Sequence, residues 1–83
     1  MLSRPKKRSL TLKRHKTSVT LEEEFWKSFQ EIASEQKKGI NELASEIDQE
    51  REQKCGLASA IRLYILNYFK FKKSNLLQKE NSN

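Results

Sequence analysis

Residues 16–26 read KTSVTLEEEFW, and their character changes halfway along. Thr17, Val19 and Leu21 alternate with Ser18 and Thr20, the period of a strand with one buried face. Glu22, Glu23 and Glu24 follow, then Phe25 and Trp26, a carboxylate-rich opening suited to the positive end of a helix. A short strand set directly against a helix has backbone amides and carbonyls that need partners. No equally clear second strand stands nearby. The source of that partner therefore constrains the fold more than any other feature.

The rest of the chain reads as helix. Thr20 and Glu23 have the spacing of a capping box, so the first helix is expected to open near Leu21. Phe25, Trp26, Phe29, Ile32 and Ala33 recur at helical spacing as its apolar stripe, and Phe25, Trp26 and Phe29 read as core aromatics. Lys37 and Lys38 close the helix, with Gly39 as the left-handed cap. Asn41 is the expected N-cap of a second helix, whose apolar face is Ile40, Leu43, Ala44 and Ile47. Gly56 breaks the pattern before LASAIRLYILNYF, residues 57–69, where apolar side chains surround most of a third helix. Such a helix is buried on most sides, and in a chain of 83 residues a second subunit is the natural cover.

Residues 1–8, basic and interrupted by Pro5, are expected to form a disordered arm. Residues 9–70 make the folded domain and residues 71–83 a flexible tail. SLTL, residues 9–12, reads either as a short strand or as an ordered extension. No internal repeat stands out.

Charge is segregated along the chain. Residues 1–20 hold seven Lys or Arg and no acid, residues 21–52 hold ten acids against four bases, and residues 53–83 hold six bases against Glu80. A basic arm leading into a strand is the footprint of a polyanionic partner. Cys55 is the single cysteine and His15 the single histidine, far apart in sequence. That scarcity argues against thiol–imidazole chemistry, against a His/Cys metal cage and against an internal disulfide. No nucleophile–base pair or phosphate loop is visible, so no enzyme, metal, cofactor or small-molecule substrate is expected. No apolar run approaches the roughly 20 residues that span a bilayer, and a cytoplasmic protein is the reading.

Two chains that lay their strands antiparallel would solve the unpaired strand, sharing one ladder over a common core. A two-stranded ribbon of that kind fits the major groove of B-DNA. Here the sequence resembles the ribbon-helix-helix (Arc/MetJ-type) DNA-binding family. The match lies in TSVTLEEEFWKSFQEIASEQKKGINELASEI, residues 17–47. More closely the chain is similar to the short bacterial ribbon-helix-helix proteins, in which a start like TSVTLEEEFW leads to a segment like SAIR, residues 59–62. The resemblance covers residues 9–70.

It implies a mainly α fold, with one short N-terminal strand pairing across a homodimer and two to three helices after it. It implies double-stranded DNA as partner and transcription regulation as function. By parity, Lys16, Ser18 and Thr20 would face the bases, with Lys13, Arg14 and His15 on phosphates. The start of the family's second helix holds a phosphate. That places Asn41 there if helix 41–52 is the equivalent, or Ala58 and Ser59 if helix 57–70 is. Val19, Leu21, Ile61 and Ile65 would form the dimer core. The other readings are an antitoxin, whose toxin-binding tail would follow residue 70, and a helical protein-interaction module with no DNA role. Glu22 to Glu24 read as dipole-compensating residues, and Arg62 as a rim residue or ion-pair partner.

Overall fold

The partner of the TSVTL strand comes from the same chain. In the computed structural model, which describes residues 4–81 and the side chains of residues 4–73, strands β1 (Lys6–Leu12) and β2 (His15–Leu21) form an antiparallel hairpin. The register runs from Lys6 opposite Leu21 to Leu12 opposite His15. The two loop residues between them, Lys13 and Arg14, have φ of 47° and 73°. Two consecutive positive φ values make the type I′ turn, whose twist matches that of the flanking strands.

Asn-Gly or Asp-Gly would advertise such a turn, and Lys-Arg does not. That is the physical reason the sequence conceals β1. One expectation is corrected here: the arm expected to be disordered over residues 1–8 is already strand from Lys6, and it pairs with the TSVTL strand within the chain.

Three helices follow, and the fold is mainly α: α1 (Glu23–Glu35), α2 (Ile40–Glu50) and α3 (Leu57–Asn81). Thr20 remains in β2 and does not cap α1; the N-cap is Glu22, with no side-chain cap bond. At the other end of α1, Lys37 and not Gly39 takes the left-handed position, with φ 58°. The amide of Lys38 donates to the carbonyl of Ala33 at 2.9 Å and that of Lys37 to Ser34 at 3.0 Å, the paired bonds of a Schellman motif. Gly39, at φ −72°, is instead the N-cap of α2, which moves Asn41 inside the helix. No Pro or Gly interrupts residues 57–81, so α3 runs through most of the segment expected as a flexible tail.

The inner face of the ribbon and the three helices enclose one core. Leu10, Val19 and Leu21 meet Phe29, Ile32, Leu43, Ile47, Ile61 and Ile65. The four residues expected to form a dimer core are buried within this single chain, Val19 and Ile65 at 4% exposure and Leu21 and Ile61 at 0%. α3 supplies the cover that the sequence assigned to a second copy. It is pinned to α1 by Lys72 on Glu35 at 2.9 Å and by Gln36 donating to the Tyr64 hydroxyl at 2.7 Å. The far side of α3 is left bare, with Leu63 54% and Leu66 50% exposed.

These placements separate two substitutions on one helix. Ile61→Glu inserts a carboxylate into the closed core and should cost about 4 kcal/mol or more, enough to unfold a domain of this size. Leu66→Glu changes a position exposed on the single chain and should leave the fold intact, read as an unchanged far-ultraviolet circular dichroism spectrum. Lys37→Gly removes a left-handed penalty of roughly 1 kcal/mol and should raise the melting temperature by several degrees. An unchanged or lower value would contradict the Schellman geometry.

Candidate nucleic-acid interface

Strand parity sorts the hairpin into two faces. Leu10 and Val19 point into the core, and the side chains that alternate with them along each strand point out. On the outer face the register sets Lys7 opposite Thr20, Ser9 opposite Ser18, and Thr11 opposite Lys16. All six are exposed. The three residues expected from parity, Lys16, Ser18 and Thr20, are thus brought together, and β1 adds Lys7, Ser9 and Thr11 beside them.

The missed residues carried a signal after all. KRSLTL, residues 7–12, and KTSVTL, residues 16–21, repeat Lys, Ser, Thr and Leu at the same places. The repeat escapes notice because it is short and its turn lacks glycine.

Lys13 and Arg14 stand exposed at the tip of the ribbon, and His15 is exposed at the first position of β2. Among the described residues no ion pair involves Lys7, Lys13, Arg14 or Lys16. Those charges remain available to an anion. Asn41, expected to hold a phosphate as a helix cap, has a different first task. Its Oδ1 accepts the Thr11 backbone N–H at 2.9 Å, tying the start of α2 to the outer edge of β1. Its Nδ2 donors stand in the same first turn as the free amides that open α2.

Two arginines lock this ribbon onto the helices. Arg62 on α3 reaches Glu22 at 2.9 Å through Nη2 and at 3.1 Å through Nε, and donates to the Thr20 carbonyl at 3.3 Å. Its guanidinium lies 5.6 Å from the centre of the Phe25 ring. Arg8 on β1 pairs with Glu23 and lies 5.1 Å from the centre of the Trp26 ring, with its Nε buried and unpartnered. Each arginine therefore takes one carboxylate and one aromatic from EEFW, residues 23–26 with Glu22 before them. Glu22 and Glu23 serve as anchors for the ribbon more than as compensation for the dipole, and Arg62 is the ion-pair partner. Phe25 and Trp26 are half-buried under those guanidinium groups, and only Phe29 is fully enclosed.

The profile described as a ribbon-helix-helix domain matches residues 5–69. The chain belongs to the ribbon-helix-helix family. Its members are in general DNA-binding regulators that act as dimers. The matched span includes the whole of β1, of which the sequence resemblance, over residues 9–70, took in only residues 9–12. No curated protein and no solved structure matches the chain. Among the described residues no helix is long and apolar enough to cross a membrane, and no group of three His, Cys, Asp or Glu side chains is placed to hold a metal ion.

The carboxyl of Glu22 is held below its ordinary value, first by its own backbone amide and then by the Arg62 guanidinium. A carboxyl with a depressed folded pKa stabilises the fold above its unfolded value of 4.5, and that contribution is lost as the pH falls through the lower folded value. Glu22→Gln removes it at all pH values. The melting temperatures of wild type and Glu22→Gln should differ most near neutral pH and converge below pH 4.5. A difference that persists unchanged into acid would show that Arg62 does not depend on the charge of Glu22.

Proposed function

We propose that this member of the family is a double-stranded DNA-binding protein and a transcriptional regulator, which inserts the β1–β2 ribbon into the major groove. The observation that carries the reading is the outer face of the ribbon, a row of lysine, serine and threonine side chains with no ion pairs, set on a rigid scaffold beside a cationic tip. A two-stranded ribbon has the width the major groove admits, and hydroxyl and ammonium groups can meet base edges there. Lys16, Ser18 and Thr20 face the bases. Lys13 and Arg14 at the tip, with His15 and the Nδ2 of Asn41, hold the phosphates on either side.

Assembly as a homodimer belongs to the same proposal, with its interface moved. The ribbon is complete within one chain, so the second copy is assigned to the bare side of α3. There Leu63, Leu66 and Phe69 follow one another at helical spacing, and an open groove of about 410 Å³ runs beside them between Ile47, Ala60 and Tyr64. Such a dimer carries two ribbons and suits two spaced sites on one duplex. Its acidic helices, together with its basic ribbons, fit a protein that approaches DNA from one side, and a cytoplasmic location belongs to the same proposal.

Binding to a labelled pool of duplex fragments, read by fluorescence anisotropy, should weaken steeply as salt rises. Replacing Lys13, Arg14 and Lys16 together by Ala should reduce the slope of log K against log salt by roughly 0.9 for each phosphate that is no longer neutralised. No retention at low salt, or a slope the triple variant does not alter, would refute the assignment. Leu66→Glu should convert the dimer to a folded monomer in sedimentation.

A further inference from the structure

We propose that the basic end of α3 in one copy seats in the groove between α2 and α3 of a second copy, and that the second copy returns the contact. This rests on the homodimer part of the reading above and specifies its geometry. The two α3 helices run antiparallel, and each copy completes the other's groove. The contact uses no side chain of β1 or β2, so it is compatible with strands that pair between copies at the ribbon.

One helix carries both halves of the contact. Ala60, Tyr64 and Asn67 recur at helical spacing and line the groove, together with Glu50 at the end of α2 and Glu52 just beyond it. Phe71 extends the same row by one turn past the groove and is 69% exposed, more than Leu63, Leu66 or Phe69. Lys70 and Lys73 continue the neighbouring row begun by Leu63 and Leu66. The family match ends at residue 69, so this tip of Lys70, Phe71 and Lys73 lies past the matched span.

Charge decides how two such helices meet. Glu50, Glu52, Lys70 and Lys73 are exposed, and among the described residues none of them has an ion pair within the chain. Lys72, by contrast, is held by Glu35. Parallel α3 helices would crowd the lysines of both tips together. Antiparallel helices replace that repulsion with Lys–Glu contacts repeated by a two-fold axis. An axis beside Leu66 sets Phe71 level with Ile61, inside the groove's span from Ala60 to Asn67. It sets Lys73 level with Ser59, toward the carboxylates that precede α3. An apolar side chain flanked by cations thus meets an apolar floor flanked by carboxylates. That match, made by one sequence with itself, identifies a second copy as the occupant.

A charge exchange tests the seating. Glu50→Lys with Glu52→Lys, and separately Lys70→Glu with Lys73→Glu, change exposed side chains only, so each chain should keep its circular dichroism spectrum. In sedimentation each should raise the dimer dissociation constant about tenfold, because tip and groove then carry the same charge. An equimolar mixture should restore it, since every tip again meets a groove of opposite charge. Cys55, which lines the groove, supplies a second readout. Lys73→Cys should oxidise to a link with Cys55 of the second copy and give a covalent dimer on a non-reducing gel. The start of α3 lies about 24 Å from Lys73 along the helix, too far for that link inside one chain. Adding Cys55→Ser should abolish it. Charge variants that dimerise as wild type does, or a covalent dimer that survives Cys55→Ser, would overturn the seating and assign the homodimer to another surface, the ribbon included. A wild type that stays monomeric at high concentration defeats both readings and leaves this face to a foreign partner.

Discussion

The hydrogen-bond ladder between β1 and β2 is the constraint on which the rest of the molecule depends. A lone strand cannot leave its amides and carbonyls unpaired beside a packed core. The chain meets that demand by doubling back through Lys13 and Arg14, both forced to positive φ. Once the ladder exists, strand parity places Leu10, Val19 and Leu21 inward and six polar side chains outward. The inner row packs against α2 and α3, and α1 completes the core through Phe29, Ile32 and Ala33. The outer row is what is left for a partner.

A two-stranded ribbon by itself is too small to hold its place. The junction EEEFW supplies the attachment. Glu22 and Glu23 are adjacent, and so are Phe25 and Trp26, and two arginines from distant parts of the chain divide them. Arg8 approaches from the ribbon and Arg62 from α3. Each of these pairs is partly solvated and worth little alone. Joined through the neighbouring carboxylates and rings, they fix the angle at which the ribbon leaves the helices. They also neutralise the acids closest to the ribbon, so the unpaired cations of the hairpin are not shadowed by carboxylates at its base. The acidic charge of residues 21–52 resides on the helices, and opposite charge on the two parts favours approach to a polyanion with the ribbon leading.

Much of this architecture is legible in the sequence. The alternation of TSVTL and the periodicity of Phe25, Phe29, Ile32 and Ala33 define a strand and a helix through burial on one face, which is a local property. Breaks at Gly39 and Gly56 fall between helices for the same reason. The outward set Lys16, Ser18 and Thr20 follows from parity alone. The companion set in β1 does not, because a Lys-Arg loop gives no turn signal and its left-handed conformation is imposed by the strands it joins. Asn41 and Arg62 are recognisable as polar groups with something to do, but their partners lie 30 and 42 residues away, at Thr11 and Thr20.

Sequence by itself determined the types of element, their order, the segregation of charge and the outward character of the strand's polar residues. Each depends on spacing along the chain or on a count of residues. Tertiary structure decided which segment pairs with the TSVTL strand inside the chain and how much of the core one chain encloses. Those answers depend on how far a long helix folds back and on which distant groups satisfy an edge. α3 has the apolar surface to cover either its own ribbon or a neighbour's, and periodicity cannot distinguish the two. The geometry does, since Leu21 and Ile61 reach complete burial inside one chain while Leu66 remains in solvent.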